Sequence, residues 1–245
     1  MGTAKSPQFD HRDRQRIYEY VERRGTVDPE VARSELLPAD GRGFRHHVSM
    51  LRRDGYLTLT DGGDLSVARK DAGREVFTEN GLAFAVRPAR QEDLTGLVGA
   101  IRRIAERSDH VVAEAVAREL EREDALVGHS AIESRRFFVA TVNEEIVGWV
   151  HVRASELAKL RHTAELTVGV LPEYRGHGVG SRLLDRGVSW AADAGHEKVY
   201  QSVPATNETA IDFLDARGWE TEAIREDHYR IDGEYVDEVM LAVEL

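Results

Sequence analysis

A glycine-rich turn between a strand and a helix is the segment of this sequence best suited to chemistry. A strand-like run with β-branched residues ends at Pro172. After Glu173 and Tyr174 the chain continues through Arg-Gly-His-Gly-Val-Gly-Ser into an amphipathic stretch. The first N–H groups of a helix have no intrahelical partner, and glycines let a ligand approach the backbone closely. The turn therefore predicts a phosphate-binding site, with Arg175 as an added cation. Its remaining residues are Gly176, His177, Gly178, Val179, Gly180 and Ser181.

The spacing of this turn fits neither of the common nucleotide-binding loops. A P-loop needs Lys followed by Ser or Thr, and a dinucleotide fingerprint needs a third glycine three residues after Gly180, where the chain has Leu183. The pattern Arg175-x-x-Gly178-x-Gly180 instead resembles the pyrophosphate-binding motif of the GNAT superfamily, the acyl-CoA-dependent N-acyltransferases. This resemblance implies acetyl-CoA as cosubstrate and main-chain N–H groups as the grip on its diphosphate.

The strand before the turn supplies further candidates. Its even positions from 164 to 170 are apolar, so Glu165, Thr167 and Gly169 share the opposite face. By the resemblance, Val168 and Val170 offer main-chain groups to the pantetheine arm. Glu165 is the candidate general base, acting on the substrate ammonium directly or through water.

A second motif follows downstream. Asn207-Glu-Thr-Ala-Ile, with Gly218-Trp219 after it, resembles the family pattern N-x-x-A and G-F, with Trp in place of Phe. The resemblance implies that Asn207 bonds the cofactor or an active-site water, although Asn is also an ordinary helix cap. The tyrosine that many relatives use to protonate the leaving thiolate is replaced by Leu214. Either another residue donates this proton or the thiolate leaves unassisted. The candidate donors are Tyr200, His228 and Tyr229, and we take Tyr229 as the predicted catalytic residue.

The order of predicted elements from residue 84 onwards agrees with the same family. Apolar periodicity predicts β-α-α-β-β-β-α-β-α-β-β, which is the GNAT order. By this resemblance the fold class is α/β (α+β), a mixed, mostly antiparallel sheet flanked by helices, over residues 84–245. Residues 69–83 are polar and are expected to be a linker.

Residues 1–68 predict a separate small domain. Helical periodicity followed by two short strands around Asp61-Gly-Gly-Asp64 resembles a winged helix-turn-helix. The third helix, within residues 42–53, carries an outward cationic face that predicts a DNA or protein partner. The exposed positions are Arg42, Arg45, His46, Ser49, Arg52 and Arg53.

The composition indicates the cellular location and the kind of source organism to expect. The chain has no cysteine and no apolar stretch long enough for a membrane span, so we expect a cytoplasmic protein without a membrane partner. The net charge of −11 arises entirely after residue 80, because residues 1–80 carry equal numbers of acidic and basic side chains. Few of the basic residues are lysines, and an acidic, lysine-poor surface is typical of a halophilic source.

Three functions remain open at this stage. The first is an N-acetyltransferase that acts on a small amine or a protein N-terminus, with a preference for cationic acceptors suggested by acidic residues near the C-terminus: Asp227, Glu234, Asp237 and Glu238. The second is an acyl-CoA-sensing DNA-binding regulator with little turnover. In the third, the winged-helix-like module docks a protein partner or a second copy in a homodimer. The spacing of the ten histidines predicts no metal site.

Overall fold

The structure, a computed structural model, divides the chain into two compact units, Met1–Gly73 and Arg74–Leu245, each with its own hydrophobic core. No helix in the described part of the chain is long and apolar enough to cross a membrane. The described residues are 9, 11–53, 55–60, 62–68, 73–106, 111–123, 133–155 and 157–245.

The first unit combines helices with a small antiparallel sheet. In the described residues its elements are α1 (Arg12–Arg24), β1 (Thr26–Val27), α2 (Pro29–Leu36), α3 (Gly41–Arg53), β2 (Leu57–Leu59) and β3 (Leu65–Val67). Strand β3 lies between β1 and β2. Ile17, Phe44 and Leu51 are buried in the core between the helices and this sheet.

Local sequence sets the ends of these helices. Gly25 ends α1 with a φ of 78°, a conformation that residues with a Cβ rarely adopt. Asp28 caps α2 by accepting hydrogen bonds from the N–H groups of Glu30 and Val31, and Pro29 occupies the first turn. The predicted helices and hairpin are present, while the winged-helix identity of the unit stays a prediction.

The second unit is one large sheet with helices on both faces. Its elements are β4 (Glu75–Glu79), β5 (Leu82–Pro88), α4 (Leu94–Ala105), α5 (Val111–Glu123), β6 (Glu133–Val142), β7 (Glu145–Ser155), β8 (Thr163–Val170), α6 (Val179–Asp193), β9 (Lys198–Pro204), α7 (Glu208–Asp215), β10 (Glu220–Ile231) and β11 (Glu234–Glu244). The strand order is β10-β11-β9-β8-β7-β6-β5-β4, and β8 and β9 form the parallel pair in an otherwise antiparallel sheet. The mixed, mostly antiparallel fold is therefore confirmed.

Helices cover both faces of the sheet, and each face has its own cluster of buried apolar side chains. Leu183 of α6 packs on one face with Val150 and Leu166. Ile101 of α4 packs on the other face with Trp149. The alternation along β8 follows from this, because apolar residues at even positions meet α6 while Glu165, Thr167 and Gly169 lie on the face of α4.

Residues 75–83 do not form the expected linker. Strand β4 pairs with β5 in a hairpin, and its turn residues Asn80 and Gly81 have φ values of 46° and 80°. A two-residue hairpin turn of this kind requires positive φ at both positions, which Asn-Gly supplies. The segment is polar because β4 is an edge strand whose side chains are mostly exposed. The boundary between the two units falls at Gly73.

Candidate functional site

Strands β8 and β9 separate soon after they begin. Their register joins Thr163–Glu165 to Lys198–Tyr200, whereas β8 continues to Val170 and β9 to Pro204. No further pair joins the two strands within these described ranges. The sheet therefore has a gap at its centre, between the parallel strands.

The main chain of Val168 and Val170 faces this gap. On the other side of β8, the Leu171 N–H donates to the Val147 carbonyl at 2.9 Å. Because the N–H and C=O groups of successive strand residues point to alternate sides, those of residues 168 and 170 point away from β7. The Val170 carbonyl accepts a hydrogen bond from Arg175 Nε at 3.0 Å, which agrees with this direction.

A cavity of about 610 Å³ extends from the gap to the glycine turn. Ligand pockets commonly have volumes of about 300–1,000 Å³. Of the ten residues predicted to bind cofactor, the eight that line this cavity are Val168, Val170, Arg175, Gly176, Gly178, Gly180, Ser181 and Asn207. The other two lie beside it: Val179 is buried in the core, and His177 contacts the β4–β5 turn.

The glycine turn has the backbone geometry that its sequence predicts. Gly176 and Gly178 have φ values of 78° and 79°, where a side chain is rarely tolerated. Gly178 is the N-cap of α6 and provides no side-chain cap. The N–H groups in the first turn of α6 consequently need another acceptor, and they adjoin the cavity.

The turn of the β4–β5 hairpin packs against the glycine turn. Asn80 Nδ2 donates to the Gly176 carbonyl at 2.8 Å, and His177 Nδ1 lies 3.1 Å from the Asn80 carbonyl oxygen. Arg182 Nε donates to Glu79 Oε1 at 2.6 Å. Asn80 also lines the cavity, a role that sequence reasoning missed because these contacts join residues nearly one hundred positions apart.

Arg217 is a second cation at the start of α6. It hydrogen-bonds Ser181 Oγ, donates to the Phe213 carbonyl at 2.8 Å and lies 3.8 Å from the centre of the Phe213 ring. Arg217 and Phe213 line the cavity, and neither was predicted. The available signal was their place in the motif after Asn207, on α7 and just beyond it.

Asn207 and Leu214 occupy the positions that the second motif predicts. Asn207 is the N-cap of α7, and its side-chain oxygen accepts from the Ala210 N–H at 3.3 Å. It also lines the cavity, so capping and ligand contact are compatible. Leu214 is buried against the cavity and offers no hydroxyl there.

Glu165 lies where the two parallel strands still pair, next to Tyr200. Arg153 stands directly opposite on β7, and its Nε and Nη2 atoms donate to Glu165 Oε2 at 3.2 and 2.5 Å. Glu165 is not among the residues that line the cavity. A base role for this carboxylate therefore needs its other oxygen or a shift of Arg153.

Tyr229 is engaged with a buried carboxylate. Its hydroxyl donates to Glu238 Oε1 at 2.8 Å. Burial, this hydrogen bond and the negative charge of Glu238 raise the pKa of Tyr229 above its ordinary value, and Glu165 adds to the effect. Glu238 is itself buried, with Arg225 Nη1 2.9 Å from Oε2. The negative charge of Glu238, which was expected to attract a substrate, is thus largely balanced by groups inside the protein.

A buried histidine lies on the same face as Glu165. His151 pairs with Thr167 across β7 and β8, and its ring stacks on Phe137 with centroids 4.3 Å apart. Burial, with the positive charges of Arg153 and Arg135, lowers the pKa of His151 to about 3. The imidazole is therefore neutral at physiological pH.

Comparison with known proteins agrees with this geometry. Residues 99–219 match the model of the acetyltransferase (GNAT) family. An uncharacterised N-acetyltransferase of Methanocaldococcus jannaschii is 31% identical over 91 residues, which is 36% of this chain. The matched segment spans only 40% of the length of that relative.

Solved structures show the same fold. A GNAT-family acetyltransferase from Streptococcus pneumoniae superposes with a TM-score of 0.54 at 20% identity, over 66% of this chain and 99% of the other. A ribosomal-protein-alanine N-acetyltransferase from Brucella melitensis gives 0.52 at 19% identity, over 65% and 99%. The yncA protein from Salmonella typhimurium, solved with its cofactor acetyl-CoA, gives 0.54 at 18%, over 66% and 94%.

Proposed function

We propose that the chain, whose second unit these comparisons support as a GNAT acetyltransferase domain, transfers an acetyl group from acetyl-CoA to a primary amine. The acceptor is a small molecule or a protein N-terminus. One observation carries the proposal: β8 and β9 diverge and open the main chain of Val168 and Val170 onto a cavity that ends at the glycine turn. GNAT acetyltransferases use acetyl-CoA, a long donor with an anionic end, and the cavity suits both features.

The diphosphate would bind at the start of α6. Its oxygens would accept hydrogen bonds from the first-turn N–H groups, which Gly178 leaves without a side-chain cap. Gly176 and Gly178 let the ligand approach the backbone, and Arg175 and Arg217 add positive charge at the cavity wall.

The pantetheine arm would lie in the gap between β8 and β9. Its amides would pair with the main chain of Val168 and Val170, as an added strand pairs with an open edge. The Val170 carbonyl already accepts from Arg175, so this oxygen would exchange the guanidinium for a pantetheine N–H.

The acetyl group would then lie near the fork of the two strands. The neutral amine attacks the thioester carbon, and the Val168 N–H is the candidate donor to the developing oxyanion. Glu165 first takes a proton from the substrate ammonium, directly or through water, to give this neutral amine, and the proton lost as the amide forms passes to water. The acidic character of the second unit favours a cationic acceptor through its long-range field.

The carbon–sulfur bond breaks as the new amide forms, and the thiolate needs a proton or leaves without one. Tyr229 is protonated at neutral pH, and its raised pKa makes the phenol a weaker acid as long as it stays bonded to Glu238. It must first turn from Glu238 towards the thiolate. Tyr200, which pairs with Glu165 across β8 and β9, is an alternative donor.

Amine-dependent release of free thiol from acetyl-CoA tests the proposal. A panel of small amines and N-terminal peptides should contain acceptors that accelerate release above the rate with water alone. Gly180→Leu should abolish this acceleration, because the new side chain would fill the cavity beside Val170 and Phe213. Gly99→Leu is the matched control, since a Cβ at that helical glycine meets open space. Equal activity of the two variants would contradict the proposed cavity.

We also propose, from a separate observation, that the first unit binds DNA. Arg42, Arg45 and Arg52 are exposed on one helix, α3, and phosphates bind such a face. A gel shift with genomic fragments at physiological salt should be lost when Arg45 and Arg52 become alanine. It should persist in Arg23→Ala, which removes an exposed arginine of α1. No shift with the unmodified chain would remove this function.

A further inference from the structure

Three ligating side chains meet in the first unit. His11 and Asp13 lie at the start of α1, and His47 lies in the middle of α3. One ligand atom from each residue lies within 4.8 Å of the others. The His11 and His47 rings are close, with centroids 4.2 Å apart.

His47 is buried with an unmet polar atom. Its side chain lies in the core face of α3 with 9% of its surface exposed, and its Nδ1 has no hydrogen-bond partner in the described part of the chain. A buried imidazole nitrogen without a partner is costly, and each such case calls for an explanation.

His11 and Asp13 bring the other two ligands. His11 Nδ1 accepts the Asp13 N–H at 3.1 Å, so this nitrogen carries a lone pair that a cation could take in place of the N–H. Asp13 Oδ1 faces Arg16 at 3.2 Å, and Asp13 Oδ2 lies 3.9 Å from His11 Nδ1. The carboxylate would supply the negative charge that a dication requires near Arg14 and Arg16.

We propose that His11, Asp13 and His47 bind a late first-row divalent cation, with zinc as the best fit. Two imidazoles and one carboxylate are a common zinc ligand set, completed by water at the fourth position. Ligand atoms around tetrahedral zinc lie about 3.3 Å apart, given bonds of about 2.0 Å. Small rotations of these side chains would close the observed separation to that distance.

The bound ion would join the N-terminal end of α1 to the helix that carries the exposed arginines. Metal binding would therefore stabilise the first unit and fix α3 against α1. The spacing of the histidines gave no such indication, because His11 and His47 are 36 positions apart and only the packing of α1 on α3 unites them.

Titration of the full-length, untagged, chelator-treated chain with Zn²⁺ and with Co²⁺ tests the site. We expect one equivalent to bind, a rise in Tm with Zn²⁺, and visible d–d absorption with Co²⁺. Asp13→Asn and His11→Ser should each weaken binding by more than about 100-fold, beyond the 10–100-fold typical of residues that only support a ligand. Serine at position 11 keeps an oxygen to cap α1, so this variant should fold.

His46→Ala is the matched control, since His46 is adjacent to His47 but exposed and outside the cluster. It should bind metal as the unmodified chain does, and acetyl-CoA affinity should be the same in all these chains. Absence of stoichiometric binding, or an equal loss in His46→Ala and His11→Ser, would overturn the site. Neither result would bear on the proposed acetyl transfer, which is measured separately.

Discussion

The two ends of the gap between β8 and β9 differ in kind, because one is formed by main-chain groups and the other by side chains. At the glycine turn the cavity is bordered by main chain, by Gly176 and Gly178, and by the uncapped start of α6. Near the point where β8 and β9 still pair, outside the cavity lining, polar side chains are held by partners on neighbouring strands: Arg153 holds Glu165, and Glu238 holds Tyr229. One contiguous segment forms the first end, whereas strand register assembles the second.

This difference implies a division of labour. Groups in the main chain keep the same position whatever the side chains do, so the glycine turn should determine affinity for the cofactor. Side chains that can exchange one partner for another should determine rate. Variants at one end should therefore leave the other property nearly unchanged.

Glu165→Gln is the variant expected to distinguish the two ends most clearly. Loss of the base should lower the turnover rate by about 10²–10⁴-fold at neutral pH, with acetyl-CoA affinity unchanged. Stopped-flow thiol release and calorimetry measure the two quantities. Glu114→Gln, which breaks an exposed ion pair with Arg118, should change neither. Full activity of Glu165→Gln would exclude Glu165 as the base.

A second prediction concerns acid stability at the same end. The pKa of His151 is lowered to about 3 in the fold, whereas the unfolded ring titrates near its ordinary value of 6.5. Between these values the unfolded state binds a proton that the folded state does not, so stability falls as pH drops, by about 1.4 kcal/mol per pH unit.

Urea denaturation at pH 7 and pH 5 measures this slope. His151→Phe keeps the stack on Phe137 and should flatten the pH dependence. His162→Phe, at an exposed position, should leave it as it is. An equally steep loss of stability in His151→Phe would show that His151 does not titrate as the structure implies.

The smallest expected effect lies at the other end. Asn80→Ala removes a hydrogen bond to the Gly176 carbonyl and one contact with the cavity, so acetyl-CoA affinity should fall about fivefold with little change in turnover rate. Asn143→Ala is the control, because Asn143 also has a positive φ in a hairpin turn but does not line the cavity. Equal acetyl-CoA affinities in the two variants would show that the β4–β5 turn does not contribute to cofactor binding.

The backbone shape of the glycine turn was predictable from the sequence because its determinants are local. A strand, a proline stop, glycines at 176, 178 and 180 and an amphipathic helix fix a backbone shape with little help from elsewhere. Helix ends such as Gly25 and Asp28 were predictable for the same reason. The order of elements in the second unit followed from apolar periodicity, which responds to burial on one face, and its mixed, mostly antiparallel sheet was what the GNAT resemblance implied.

What sequence reasoning missed depends on distant neighbours. Strand β4 was read as a linker because an exposed edge strand has few apolar residues. Arg153 was not linked to Glu165, because their pairing needs the register of β7 with β8. The grouping of His11 with His47 needs the packing of two helices. In each case the missing information is a contact in space rather than a spacing along the chain.

The central claim is that main-chain N–H groups at the start of α6 hold the diphosphate of acetyl-CoA. Calorimetry with CoA and with pantetheine, which lacks the diphosphate, tests it most directly. The unmodified chain should prefer CoA by at least about 100-fold, given two or more charge-assisted hydrogen bonds. Gly178→Ala should lose most of this preference, because its φ of 79° disfavours a side chain and the turn that presents the first N–H groups of α6 would have to change.

Gly195→Ala, with a φ of 86° just after the other end of the same helix, introduces comparable backbone strain away from the cavity and should keep the preference for CoA. The account predicts that Gly178→Ala alone loses discrimination between CoA and pantetheine. Equal affinity of the unmodified chain for both ligands, or an unchanged preference in Gly178→Ala, would contradict it.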